Sequence, residues 1–272
     1  MSTSVDTSFV RQYEREVNAA FQRRVSKLIN TVRRKPNVTG SSTTFQKVGK
    51  GVATTKSRHG LITPMNQTHT AIQCTLSDFY AGDYVDKLDE AKVNHDERRV
   101  IAEGGAAALA RKIDEQLSTT LDTTTNNVAH ASAALAKGKI QTAVETLGDN
   151  DVFEEGKMWA TLGWNAWNDM LNISEFANSD FVGNMHPWLD GTEAKRWMGI
   201  TWVPSSVTNF VKSGSTFLSF IYHEDTMGYG NAPGITADIT WVGERAAHFI
   251  NHAMSGGSCM IDDQGVIEVQ HQ

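Results

Sequence analysis

The segment NHDERRVIAEGGAAALARKIDEQLSTTL, residues 94–121, carries the strongest periodic signal in this chain. Ile101, Leu109, Ile113, Leu117 and Leu121 return to one side of a 3.6-residue helix, and Ala106, Ala107, Ala108 and Ala110 add helix propensity. Asn94 followed by Glu97 resembles a capping box, with Asp96 and Glu97 placed in the first turn, where the helix dipole favours negative charge. The pattern predicts a helix of about 25 residues or longer. Gly104 and Gly105 lie inside it at a cost of about 1 kcal/mol each relative to Ala. They mark a bend or the close approach of another backbone, or they are weak spots that the helix tolerates.

Downstream, past the linker TTTNN, Ile140, Val144 and Leu147 define a second helix that ends at Gly148. KMWATLGW then reads as a strand, WNAWNDMLN as a short helix, and NSDFVG as a loop. The C-terminal part turns β-rich. ITADITWV places Ile235, Ala237, Ile239 and Trp241 on one side, and ERAAHFINHAM suits a strand or a helix. SCMID and GVIEVQ are expected to form a hairpin through Asp263-Gln264-Gly265. Runs of helix followed by runs of strand predict an α+β fold rather than alternating parallel units. No internal repeat or low-complexity tail is present.

Upstream, DFYAGDYVDKLDE is rich in carboxylates. Before it, residues 37–73 are polar and punctuated by Gly40, Gly49, Gly51, Gly60 and Pro64, which predicts a long β-hairpin or extended loop projecting from the body. Large apolar residues are too few there for a core, so order is expected to come from contact with another surface. Residues 8–33 place Val10, Tyr13, Val17, Phe21, Val25, Leu28 and Val32 at steps of three and four, with Arg and Lys between, and predict an amphipathic helix ended by Pro36. Its apolar face requires a partner, since an isolated helix of that length is marginal in water.

Charge is divided along the chain. Residues 1–60 hold twelve Lys/Arg against three Asp/Glu, a net of +9, within a 272-residue chain whose formal charge is −6. A basic arm on an acidic body is suited to an acidic neighbour or a polyanion. Forty per cent hydrophobic residues support one or two globular domains. No apolar run is long enough to span a bilayer, and the N-terminus lacks a secretory signal, which predicts synthesis in a cytoplasm. Cys74 and Cys259 match no metal spacing and are expected to be reduced, partly buried thiols; a disulfide needs their Cα atoms within about 7 Å.

Catalytic patterns are few. There is no phosphate-binding glycine loop, and Gly228-Tyr229-Gly230-Asn231-Ala232-Pro233-Gly234 reads as a surface turn before a strand. His223-Glu224-Asp225 suits a solvated turn after the strand FLSFIY. His248 and His252, four apart, would need a third ligand to hold zinc and lack an HExxH frame, so a structural role is favoured. Trp159, Trp164, Trp167 and Trp188 are expected to be core or interface anchors. Lys27, Arg33, Arg34, Lys35, Lys47, Lys50, Lys56 and Arg58 could meet nucleic-acid phosphates. Few aromatics interleave them and the whole chain is acidic, which favours protein–protein contact. A soluble metal-dependent hydrolase using the His pair is the alternative reading.

The ordered set of segments resembles the major capsid protein of tailed double-stranded DNA bacteriophages, with the Hong Kong 97-type fold. The helical arm Val10–Val32, the Gly/Thr/Lys stretch Thr39–Gln73 and the helix Asn94–Leu121 resemble that family's N-terminal arm, extended loop and spine helix. WNAWNDMLNISEFANSDFVG followed by GTEAKRWMGITWVPSS is similar to its axial-domain pattern, and ERAAHFINHAMSGGSCMIDDQGVIEVQHQ to its closing strands. The resemblance implies an arm over 1–38, an extended loop over 39–80, and a peripheral domain with the spine helix over 81–128. An axial domain over 129–234 and shared closing strands over 235–272 complete it.

The function so implied is assembly, not enzymatic catalysis: pentamers and hexamers closing into an icosahedral head shell around packaged DNA, in the virion, built in the host bacterial cytoplasm. Implied partners are copies of the chain itself, a separate scaffolding protein, a portal protein, a decoration protein and packaged double-stranded DNA, with no membrane and no cofactor. Candidate inter-subunit contacts are Val10, Tyr13, Val17, Phe21, Arg33, Arg34, Lys47, Lys50, Lys56 and Arg58.

Overall fold

The computed structural model describes residues 25–88, 97–129, 131–177, 195–206, 210–213, 216–232 and 236–272. In chain order the strands are β1 (Arg33–Lys35), β2 (Ser42–Val48), β3 (His69–Thr75) and β4 (Ser77–Asp86); helix α1 (Glu97–Leu121) and strand β5 (Asn127–Val128) follow. Next come α2 (Lys137–Asp149), β6 (Met158–Leu162), α3 (Trp164–Leu171), α4 (Ser174–Ala177), β7 (Lys195–Trp197), β8 (Ile200–Pro204) and β9 (Val211–Ser213). The chain continues through β10 (Thr216–His223), β11 (Met227–Asn231), β12 (Thr236–Val242), β13 (Ala247–Met260) and β14 (Val266–His271). Helices and strands both contribute heavily, as expected of an α+β chain.

Two compact units are present: one contains Phe79–Arg111 and Ile235–Met254, the other Ser26–Asp78, Lys112–Gly234 and Ser255–Gln272. In the first, β12 pairs antiparallel with the N-terminal half of β13, with Ile239 opposite Ile250 and Trp241 opposite His248. β4 also pairs with β13. The N-terminal half of α1 packs here. A Cβ at Gly105 would lie 2.6 Å from Nδ1 of His252, a buried side chain, whereas one at Gly104 would meet nothing within 4 Å. The two glycines therefore differ: Gly105 admits an imidazole ring, and Gly104 is the tolerated weak spot.

The second unit is built on a sheet of order β5-β14-β10-β6-β8-β7, with β9 on β10. Its β10–β14 and β10–β6 pairs are antiparallel and β6–β8 is parallel. Ile140, Ala143 and Leu147 of α2 and Ala166, Trp167 and Met170 of α3 join Met158, Leu162, Trp202, Ile221, Ile267 and Val269 in one core. Each large apolar side chain buried there contributes about 1.5–3 kcal/mol. Phe176 stands edge-on to both Trp167 and Trp197, each at 5.6 Å. Trp167 is thus a core anchor and Trp159 is half-buried, whereas Trp164 is exposed; Trp188 lies outside the described residues.

Several expectations need correction. SCMID and GVIEVQ do not form a hairpin: β13 pairs with β11, while β14 pairs with β10 and β5. Asp263-Gln264-Gly265 is a 3-10 turn whose start is capped by the Asp262 carboxylate, which accepts from Gln264 N at 3.1 Å, and this redirects the chain. Gly228–Asn231 is not a surface turn; it lies within β11, almost wholly buried. The predicted helix over 8–33 does not reach Val32: Ile29–Thr31 is a 3-10 turn and Arg33–Lys35 is a strand running parallel to β11. Residues 1–24, which hold the rest of that helix, and Asn94 of the capping box lie outside the described residues. So does the NSDFVG loop.

Candidate functional site: the extended hairpin and an aromatic strand edge

β2 and β3 form an antiparallel pair in register from Ser42–Thr75 to Val48–His69. β-Branched Thr and Val residues favour this pairing, and the glycine and proline residues between the strands keep the connection out of the ladder. The hairpin has two chemically different ends. Phe45 and Cys74 at its root are buried and form a small core with Ile261, backed by Ile72 and Cys259. From Lys50 to Ala71 every residue except Gly60 is exposed.

Glycines let the root sit close to the β11–β13 sheet. Cβ atoms at Gly228 and Gly230 would lie 2.6 Å from Phe45 Cε2 and 2.7 Å from Thr43 Cγ2, and one at Gly257 would overlap the Thr75 carbonyl. Gly230 and Gly257 face each other across the ladder, so side-chain-free backbone is aligned on neighbouring strands. The root is therefore ordered by its own chain, contrary to the expectation that order comes only from another surface. The tip fits that expectation better, because Val52, Leu61 and Ile62 are each at least three-quarters exposed.

The tip is basic as well as apolar. Between Val17 and Ser77 the sequence has no Asp or Glu. Lys47 is paired with Asp262 at 2.8 Å, and the Lys50 ammonium donates to the Asn150 carbonyl. Lys56 donates to the Gly60 carbonyl at 3.5 Å across the Ser57–Gly60 turn, and Arg58 lies in that turn. Arg33 and Arg34 are exposed on β1. Arg33 also lines a cleft of about 570 Å³ with Gln46, Lys47, His223, Asp225 and Asp262, where both signs of charge meet. Among the predicted contact residues, Lys56 and Arg58 thus share the exposed tip, and Lys47 and Lys50 are engaged within the chain. Val10, Tyr13, Val17 and Phe21 lie outside the described residues.

Just before β1, the chain is held by a polar anchor that corresponds to no sequence motif. Asp114 is fully buried on α1; its carboxylate accepts from Ser26 Oγ at 2.5 Å, Leu28 N at 3.1 Å and Lys27 N at 3.2 Å. Thr31 Oγ1 and the Tyr222 hydroxyl are 2.6 Å apart, and burial pushes the Tyr222 pKa up strongly. The trace of this anchor in the sequence is Asp114 and Ser118, four apart and beside Leu117, on a helix face that buries them.

A second surface lies in the other unit. Ile239 and Trp241 of β12, and Tyr80, Tyr84 and Leu88 in and after β4, are large apolar residues that remain exposed. Lys87 lies 5.8 Å from the Trp241 ring centroid and Arg245 lies 4.5 Å from that of Tyr84, so cations cover part of these faces. β12 ends its sheet among the described residues, leaving an edge with unpaired backbone groups.

Among the described residues, the histidines hold no reactive arrangement. His248 and His252 lie on a strand; His248 packs on Trp241 at 4.9 Å and His252 is buried under Gly105. No group of three His, Cys, Asp or Glu suited to a metal is found among the described residues. His223 is buried rather than solvated: its Nδ1 accepts from Asp225 N at 3.2 Å and caps a 3-10 turn, while Nε2 lies 3.6 Å from Glu154. No described helix is long and apolar enough to cross a membrane.

A family model described as phage capsid protein matches residues 5–272. No curated protein sequence is matched. Among solved structures, the chain is similar to the capsid of cyanophage P-SCSP1u at 15% identity and a TM-score of 0.77, covering 100% of this chain and 95% of that one. A chain of Mycobacterium phage Che8 is 15% identical with a TM-score of 0.75, covering 96% and 97%. The capsid of a native GTA particle is 11% identical, also with a TM-score of 0.75, covering 99% and 97%.

Proposed function

The chain belongs to the phage capsid protein family and has the Hong Kong 97-type fold, and on that premise we propose that its copies close into pentamers and hexamers through the hairpin tip and the arm. It is a structural protein of the phage head shell, not an enzyme, and the hydrolase reading is set aside on that ground. The observation that carries the assembly reading is the hairpin itself. Its root is buried in its own chain, while its tip leaves Val52, Leu61 and Ile62 in solvent beside Lys56 and Arg58. Apolar side chains displayed on a basic, carboxylate-free lever gain burial and charge pairing when a neighbouring copy covers them.

Lys56 and Arg58 are the foremost contact residues in this proposal. Arg33 and Arg34 are secondary, with Lys47 and Lys50 acting mainly to hold the hairpin to its own body. Val10, Tyr13, Val17 and Phe21 are the arm's contact residues in the same proposal. The segments 1–38 as arm, 39–80 as extended loop, 81–128 as peripheral domain, 129–234 as axial domain and 235–272 as closing strands fit this division of labour. A separate scaffolding protein, a portal protein, a decoration protein and packaged double-stranded DNA complete the set of partners, with assembly in the host cytoplasm. Electron microscopy of the concentrated chain, with sedimentation, tests the reading. Shells, tubes or six-fold rings are expected, and a small particle that stays small with or without a scaffolding partner would sink it.

A further inference from the structure

Cys74 and Cys259 are 185 positions apart in sequence and lie on different sheets, yet the fold brings both side chains into one small cluster. Cys74 is on β3 at the hairpin root and is 1% exposed; Cys259, on β13 opposite Gly228, is partly exposed. Both belong to the small cluster formed with Phe45, Ile72 and Ile261. Close approach comes from the glycine platform, since Gly257, two residues before Cys259, lies against the backbone of Thr75 and Leu76. Both cysteines are free thiols in this structure.

We propose that Cys74 and Cys259 form a site of reversible oxidation, at which a small-molecule disulfide converts the dithiol to an intramolecular bridge stapling the hairpin root to β13. A thiolate is the attacking species in exchange.

In the first step Cys259, the more accessible sulfur, loses its proton to solvent and attacks, as the thiolate, one sulfur of the oxidant. The oxidant's S–S bond breaks, and one half leaves as a thiolate that takes a proton from water. Cys74 then loses its proton to solvent and attacks the Cys259 sulfur, forming the protein bridge and releasing the second half. Two protein thiols are oxidised and one disulfide is reduced to two thiols, so atoms and electrons balance. Thiols stay reduced in a bacterial cytosol and oxidise outside the cell. The bridge therefore forms after the shell has left the cell; this timing rests on the capsid reading, whereas the bridge itself does not.

The test uses the whole 272-residue chain, purified under reductant and then incubated with oxidised glutathione. Free thiols are blocked after denaturation, and peptides are mapped without reduction. The expected product is a peptide pair bridged between Cys74 and Cys259 within one chain. Its formation should raise the unfolding temperature by about 10 °C, because a long loop is closed in the unfolded state. Cys74→Ser should leave a glutathione adduct on Cys259. Recovery of both thiols in alkylatable form, an adduct that stays unresolved on Cys259 of the unaltered chain, or bridges only between chains would each overturn the proposal. Because the mapping is done on the unaltered chain, the outcome does not depend on a variant folding, and it is independent of whether shells form.

Discussion

At position 114 a carboxylate occupies a helix face that buries Leu117 and Leu121, and by accepting from Ser26, Lys27 and Leu28 it receives the chain just before β1. Asp114→Ala leaves buried donors without an acceptor and should cost about 3 kcal/mol, read by urea unfolding. The two helix glycines make an opposed pair. Gly104→Ala enters open space and should stabilise by about 0.5–1 kcal/mol, whereas Gly105→Ala meets the His252 ring and should destabilise by about 1–3 kcal/mol. Thermal unfolding of the two variants separates them by sign. A pH effect belongs to His271, which is buried, stacks on Phe217 and lies 3.0 Å from Ser219 Oγ. Burial lowers its pKa to about 4, opposed by Asp169 and aided by Lys139. A histidine held neutral in the fold makes the unfolded chain the better proton acceptor, so stability is full above about pH 6.5 and falls as pH drops towards 4. The loss is on the order of 3 kcal/mol, and His271→Gln should flatten that part of the stability–pH curve.

The elements follow sequence pattern where one face is apolar and the partner is local. α1 and α2 occupy their expected places, and β6, α3 and β12 follow the periodicity of KMWATLGW, WNAWNDMLN and ITADITWV. Pattern fails where pairing is remote: the turn at 263–265 looked like a hairpin turn, but β14 finds its partners in β5 and β10. Hairpin root seating is likewise a remote effect, built from Phe45, Gly228 and Gly257 on three separate strands. Gly257→Val puts a side chain into the Thr75 carbonyl and should destabilise by several kcal/mol, about 2–4. Faster amide exchange along β2 and β3, with protection retained in β6 and β10, would place that damage at the root.

For the whole molecule, charge and exposure act together. If Lys56 and Arg58 meet an acidic surface of a neighbouring copy, Lys56→Glu with Arg58→Glu should reduce shell yield severely, measured by sedimentation. The monomer's stability should change by less than about 0.5 kcal/mol, since both side chains lie on an exposed tip. Rising salt should weaken assembly of the unaltered chain through screening of the same charges. Assembly that is indifferent to both changes would locate the essential contacts elsewhere, with the aromatic edge at Ile239 and Trp241 the next surface to alter.

The α+β class, the long helix and the hairpin were legible in residue spacing, because helix and strand periodicities are local and each leaves a stripe on its own element. Of the candidate surface, the same reading reached the basic hairpin and its Lys and Arg residues, but it did not distinguish Lys47 and Lys50, engaged by Asp262 and the Asn150 carbonyl, from the exposed tip. Tertiary structure alone decided that distinction, along with the Asp114 anchor, the glycine platform and the meeting of Cys74 with Cys259. Each depends on residues far apart in the chain, whose approach is set by packing and backbone hydrogen bonding, and packing leaves no periodic trace in any one segment.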